Sequence, residues 1–266
     1  MTDASRQPAN TPASQDRGAA PLRGLLPLLL GLALWQIFGS REVPYFPPPL
    51  DWVKSLDTLR GAGRLWPALE TTLTSFFAAL LLSVVFGSML GILLGRSVLL
   101  DRLLGPALEF GRTMPAGALV PVAVLIMGYT ESSTLSVVTV TSFWPIFLNV
   151  RSAARRISQD RLDTARVFRL SWWATQRKIV LPSVLPSIQL GAQLATPVVL
   201  IIVLLVEILT QASGIGREIA LAQSTFRSAT VYGLVALTGT LGLVVNSAIS
   251  WTGRLIRNYQ PSVPGG

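Results

Sequence analysis

Residues 68–95 read ALETTLTSFFAALLLSVVFGSMLGILLG, and this run decides the class of fold. Its only ionisable side chain is Glu70, close to one end. A helix of about 20 apolar residues crosses a hydrocarbon core of about 30 Å, so the run is long enough to span a bilayer. Ser83, Gly87, Gly91 and Gly95 recur every fourth residue. That spacing stacks small residues on one helix face, where a second helix can approach closely.

Working outward, further apolar runs cover 24–38, 114–129, 134–150, 188–209 and 231–251. Together they predict an all-α membrane protein with six transmembrane helices. The run 24–38 is followed by Gly39-Ser40-Arg41 rather than a small-x-small cleavage pattern, so it is expected to be a retained span. Pro115, Pro121 and Pro197 fall inside the runs; membrane helices tolerate proline when neighbouring groups satisfy the freed carbonyls. Segment 41–67 is expected to connect two spans, because its Pro44–Pro49 stretch cannot continue a helix. Segment 211–230 is expected to be a loop. The expected organisation is a disordered tail (1–21), a first span (22–39), a permease core (67–252) carrying a long cytoplasmic segment (151–187), and a polar tail (253–266).

Composition agrees with this reading. Of 266 residues, 50% are hydrophobic and 13% charged, against about 25% charged in soluble domains. Mean hydropathy is +0.54. The net charge of +9 would suit a nucleic-acid binder, but the apolar runs exclude that reading. The basic residues instead report orientation. Arg41, Lys54, Arg60, Arg64, Arg217 and Arg227 fall in segments on one side; the rest of the 22 Lys and Arg fall on the other. The positive-inside rule then places both termini and segment 151–186 in the cytoplasm.

The chain has no Cys and no His, which removes the usual zinc, thiolate and imidazole chemistry. Lys54 and Lys178 are its only lysines and neither follows Gly, so there is no phosphate-cradling Walker A loop. If ATP drives the protein, another chain binds it; no cofactor is expected here.

Residues 158–186, SQDRLDTARVFRLSWWATQRKIVLPSVLP, are too long for a tight turn and too apolar for a disordered loop. Leu162, Ala165, Val167, Phe168 and Leu170 predict one apolar side of a short helix, with Ser158 as candidate cap and Arg161, Arg166 and Arg169 on the polar side. Trp172, Trp173, Ile179, Val180 and Leu181 begin a second element that Pro182 should stop. An amphipathic element of this kind either lies on anionic lipid or docks a cytoplasmic partner.

Asp163-Thr164-Ala165, then Arg169, then Ile179-x-Leu181-Pro182 resembles the EAA loop of the permeases of binding-protein-dependent ABC importers. The family pattern is Glu-Ala-Ala, three residues, Gly, nine residues, Ile-x-Leu-Pro. Asp163 replaces the Glu, Thr164 the first Ala, and Arg169 the Gly. Arg resists the positive φ that Gly allows at that turn. Met114-Pro115 with Ala118 and Pro121, residues 143–149 (FWPIFLN), and Glu207 followed by Gly214-Ile215-Gly216 resemble the nitrate/sulfonate/taurine branch. The resemblance covers about 67–257. It implies a type I ABC importer permease fold in a bacterial cytoplasmic membrane. It also implies two ATPase subunits, each receiving the cytoplasmic loop of one permease, here the segment Asp163–Pro182 that includes Trp173. Phe168, Leu170 and Trp172 are its expected anchors, since buried aromatics dominate such contacts. A second permease copy, identical or related, and an extracytoplasmic solute-binding protein are further implied partners. Nitrate, sulfonates, taurine, bicarbonate and thiamine precursors all remain open as solutes.

Asn149, Gln189, Gln193, Glu207 and Asn246 are candidates for the translocation path, because polar side chains within spans are costly in lipid. Hydrogen bonding between helices explains each of them equally well. A secondary transporter or channel is the competing function. It would be expected to place charged coupling residues deep in the spans, and almost none occur.

Overall fold

The computed structural model describes residues 20–39, 45–128 and 130–258. Most of the expected N-terminal tail (1–19), Arg41 to Pro44 of the connecting segment, and the last residues (259–266) lie outside them. Among the described residues the fold is helical throughout, without a strand. In chain order the helices are α1 (Ala20–Phe38), α2 (Pro49–Gly61), α3 (Leu65–Arg96), α4 (Val98–Thr113), α5 (Ala116–Met127) and α6 (Glu131–Ser142). They continue with α7 (Trp144–Arg155), α8 (Gln159–Val167), α9 (Trp172–Thr175), α10 (Leu181–Thr210), α11 (Ile215–Ser224) and α12 (Ser228–Asn258).

The core lies where α3, α7 and α10 pack on one another, each against the other two. The small-residue stripe of α3 meets α7: a methyl group on Gly87 would lie 3.0 Å from Ile146 Cβ, one on Gly91 2.8 Å from Val150 Cβ, and one on Gly95 2.7 Å from Ala154 Cβ. Gly191 of α10 also brings its backbone against Ile146, where an added Cβ would sit 2.6 Å from Ile146 Cα. Glycines of both neighbouring helices thus admit α7 closely, and Ile146 and Val150 are wholly buried. Val184, Ala195, Val199 and Val203 of α10, with Phe76 and Ala79 of α3, complete this core.

Among the described residues three helices are long and apolar enough to cross a membrane: 65–96, 172–210 and 228–253. Two bent pairs raise the number of candidate crossings to as many as five. The expected third span, 114–129, contains only the 12-residue α5, about 18 Å of helix. It reaches crossing length only with α4, to which it joins at 102° around Met114-Pro115. The expected fourth span is likewise two helices, α6 and α7, bent by 43° where Trp144-Pro145 opens the second. Within α1 the apolar part, Leu26–Phe38, is shorter than a full crossing.

Two helices arise where connections were expected. α2 begins at Pro49, the first-turn position where a missing N–H costs nothing, so the proline cluster starts a helix rather than excluding one. α11 buries Ile215, Gly216, Ile219 and Ala222. α12 also continues to Asn258, past the expected start of the tail.

Proline fails to end the second cytoplasmic element as well. Trp172 to Thr210 is one continuous helical path of 39 residues. A π-helical turn at Gln176–Val180 immediately precedes Leu181-Pro182. Widening the turn shifts the hydrogen-bond register by one residue, and Pro182 enters in the first turn of the following α-helical stretch, where its absent N–H is tolerated.

Candidate functional site

Segment 158–186 begins just after α7 ends. Ser158 stands at the start of α8, but its side chain caps no N–H group. The apolar side expected for this helix is split: Ala165 is buried and Leu162 and Leu170 are half-buried, while Val167 and Phe168 face outward. Asp163 sits within α8 and accepts from Arg166 Nη1 (2.8 Å) and Gln159 Nε2 (3.3 Å). Thr164 donates to Asp160 O at 2.8 Å.

The turn after α8 is closed by Arg169 at φ 47°. Leu170 N–H donates to Ala165 O (2.9 Å) and Arg169 N–H to Arg166 O (2.9 Å). This is a Schellman closure with arginine in the left-handed position normally taken by glycine. Arg169 therefore adopts the geometry of the glycine it replaces. The second arm starts at Ser171, whose Oγ accepts from Ala174 N–H at 3.3 Å. Phe168 is 73% exposed, Trp172 65% and Trp173 77%, and the two indoles meet edge-on at 4.9 Å. Ile179 is half-buried, and Leu181 and Pro182 lie on the exposed side at the start of α10. The result is an aromatic edge on a rigid turn with nothing packed over it, a feature that marks interaction surfaces.

At the opposite end of α10 is a second constellation. Glu207 is 1% exposed. Thr72 Oγ1–H donates to its carboxylate (2.9 and 3.0 Å), and Gly216 N–H donates to Oε2 at 2.7 Å. Ile215 N–H donates in turn to Thr72 Oγ1 at 2.8 Å. Glu207 and Thr72 thus satisfy the first N–H groups of α11, and a carboxylate at a helix N-terminus is also electrostatically favoured. Gly214, at φ 143°, is required: a Cβ there would fall on the carboxylate. Glu207 also contributes to the wall of a cavity of about 530 Å³, together with hydroxyls of α3 (Thr71, Thr74, Ser75) and of the α6 N-terminus (Thr130, Ser133, Thr134).

The remaining path candidates do not converge on that cavity. Asn149 Nδ2 donates to Pro145 O (2.7 Å) within its own helix. Gln189 Nε2 donates to Ile249 O (3.2 Å), tying α10 to α12, and packs against Gly253. Gln193 is half-buried one turn further along α10. Asn246 Oδ1 is buried in α12 without a hydrogen-bond partner. Gln189 and Glu207 are about 27 Å apart along the helix axis.

Thr72 and Asp101 were not legible as functional residues. Asp101, in the first turn of α4, accepts from Arg151 Nε at 2.6 Å and pairs with Arg155, both at the end of α7. That clamp ties α4 to the helix that feeds the cytoplasmic segment.

These features describe a helical chain with several helices of membrane-crossing length and an exposed aromatic edge. Residues 69–258 match the family of binding-protein-dependent transport system inner membrane components, and the chain belongs to that family. It is a permease subunit of an ABC importer, located in the bacterial inner membrane. It is 26% identical over 247 residues to the putative aliphatic sulfonates transport permease protein SsuC of Bacillus subtilis, covering 92% of this chain and 90% of that one. It is 28% identical to the nitrate import permease protein NrtB of Leptolyngbya laminosa, covering 83% and 82%. It is 30% identical to the bicarbonate transport system permease protein CmpB of Synechococcus elongatus, covering 61% and 62%. The fold is that of a chain of the MetNI methionine ABC transporter in inward-facing conformations, with a TM-score of 0.62 at 18% identity, covering 76% of this chain and 99% of that one.

Proposed function

We propose that this chain crosses the membrane six times with both termini in the cytoplasm, pairs with a second permease copy, and docks one of two driving ATPase subunits through the segment around Asp163–Trp173. α1 would supply the sixth crossing, extended beyond its apolar part at both ends. An extracytoplasmic binding protein would deliver the solute to the hydroxyl-lined cavity beside Glu207. By analogy with the named relatives the solute is a small oxyanion such as a sulfonate, nitrate or bicarbonate. Gln189 would act as a polar tie between α10 and α12 and Asn149 as one within α7.

The orientation has a direct check in this cysteine-free chain. Cysteines introduced singly at Ser158 and Ser213 are expected to react with an impermeant maleimide from opposite sides. Equal labelling of both from outside would refute the topology.

The observation that carries the docking reading is the exposed edge of Phe168, Trp172 and Trp173 on the turn held by Arg169. Buried aromatic anchors dominate such interfaces and rim charges add little. Phe168→Ala is expected to remove about 2 kcal/mol of docking energy. Retention of the ATPase on tagged permease in detergent and solute-stimulated ATP hydrolysis should fall together, with membrane insertion unchanged. Permease purified alone sets the zero-turnover baseline, since it has no Walker A loop. Retention and transport that are undiminished in both Phe168→Ala and Trp172→Ala would assign this edge to lipid contact instead.

A further inference from the structure

Of the arginines around the cytoplasmic segment, three have carboxylate partners. Arg151 and Arg155 share Asp101, and Arg166 pairs with Asp163. Arg156 and Arg161 have none among the described residues. Arg156 Nη2 donates to Ser152 Oγ (2.9 Å), and Arg161 Nη1 reaches only Ser183 Oγ (3.5 Å). These two line one cavity of about 450 Å³ with Ser158, Ser183 and Ser187. It lies where the end of α7, the start of α8 and the first turns of α10 meet.

We propose that this cavity, between Arg156, Arg161 and the serines of α8 and α10, binds a phosphate-like oxyanion. Both arginines are exposed, so water screens their mutual repulsion, but an anion held between them would be attracted by both charges at once. Each guanidinium presents five N–H donors in a planar fork matched to phosphate oxygens, and most of them are unused here. Ser158, which caps nothing, adds a hydroxyl. A bound anion would bridge three helices and fix the angle between the docking segment and the spans. The ligand chemistry is shared by a phospholipid headgroup of the inner leaflet and a soluble phosphate. The choice between these sources rests on the topology proposed above; the binding itself does not.

The test uses the full-length chain in detergent. Inorganic phosphate is titrated against sodium chloride at matched ionic strength, and thermal unfolding is followed. A parallel arm measures retention of phosphatidylglycerol and phosphatidylcholine by native mass spectrometry. Wild type is compared with Arg156→Gln, Arg161→Gln, the double variant, and Arg177→Gln as an exposed control outside the cavity. Each cavity substitution is expected to weaken phosphate binding about tenfold, and Arg177→Gln to leave it unchanged. Selective loss of phosphatidylglycerol in the double variant, without a phosphate effect, assigns the site to lipid; a phosphate effect without lipid selectivity assigns it to a soluble anion. If the glutamine variants do not fold, Arg156→Lys with Arg161→Lys keeps both charges and should retain weaker binding. The proposal is overturned if neither probe distinguishes the double variant from wild type, or if Arg177→Gln lowers binding as much. It is equally overturned if only ATPase retention falls in the double variant, which would make these arginines part of the protein interface.

Discussion

Gly214→Val is expected to prevent the accumulation of folded protein. At φ 143° any β-branched residue is strained, and residues forced into such regions cost about 1–3 kcal/mol. The larger effect is local: the new Cβ occupies the position of the Glu207 carboxylate. Displacing that group leaves it buried without Gly216 N–H and Thr72 Oγ1, at about 1–3 kcal/mol for each unsatisfied group. The total exceeds roughly 4 kcal/mol, a large share of the 5–15 kcal/mol that holds a domain folded. Gly214→Ala should be milder in the same direction. Gly239→Ala, where nothing lies within 4 Å of an added Cβ, serves as control and should melt at or above wild type. Unfolding temperature and the monodisperse fraction after detergent extraction are the readouts. Gly214→Ala melting with the control would show that the carboxylate is not held as described.

Gly91→Leu should be nearly as damaging, through packing rather than polar chemistry. Even a methyl group at Gly91 approaches Val150 Cβ to 2.8 Å and Phe147 O to 3.0 Å. The second of these is backbone and cannot rotate away. Overpacking a tight core costs about 1–3 kcal/mol and more when helices must separate; leucine forces that separation along the whole α3–α7 contact. Membrane helices associate through such close packing rather than a hydrophobic drive, so little compensates. Gly91→Ala should be intermediate, and adding Val150→Ala should recover part of the loss, because contacting sites are not additive. Independent, additive effects of Gly91→Ala and Val150→Ala would place the two residues out of contact.

How far the sequence could be read depended on the range of each interaction. The run 68–95 becomes α3 almost unchanged, since continuous apolar character is a local property. Its glycine spacing named the packing face, but not α7 as the partner. The breaks were harder. Pro145 was visible, yet whether it bends a span by 43° or is absorbed depends on packing around Phe143 and Trp144. At Pro182 the opposite happened, because a π turn absorbed the proline. α2 and α11 carry mixed composition and were read as connections; their helicity comes from burying Leu59, Ile215 and Ile219 against distant helices. Glu207 stood out as an acid in an apolar run, whereas its partner Thr72 is 135 residues away and looks like any other threonine. In segment 158–186 the two short helical elements joined by a turn were legible, and Arg169 was their least secure point. The arginine nonetheless takes the glycine conformation, because the hydrogen bonds closing the turn outweigh a strain of about 1–2 kcal/mol.

The uninterrupted path from Trp172 to Thr210 has a mechanical corollary. At about 1.5 Å per residue it is a rod of roughly 60 Å, with the exposed indoles at one end and Glu207 with its grip on α11 at the other. If a partner pushes at the indoles, the displacement would reach the cavity beside Glu207 along a single lever, with no relay through side-chain contacts. What that lever can lose on the way is set by its compliant points: the π turn at 176–180, Pro186 and Pro197. Stiffness at those three places, more than the strength of any contact, would then set how much of a displacement at one end arrives at the other.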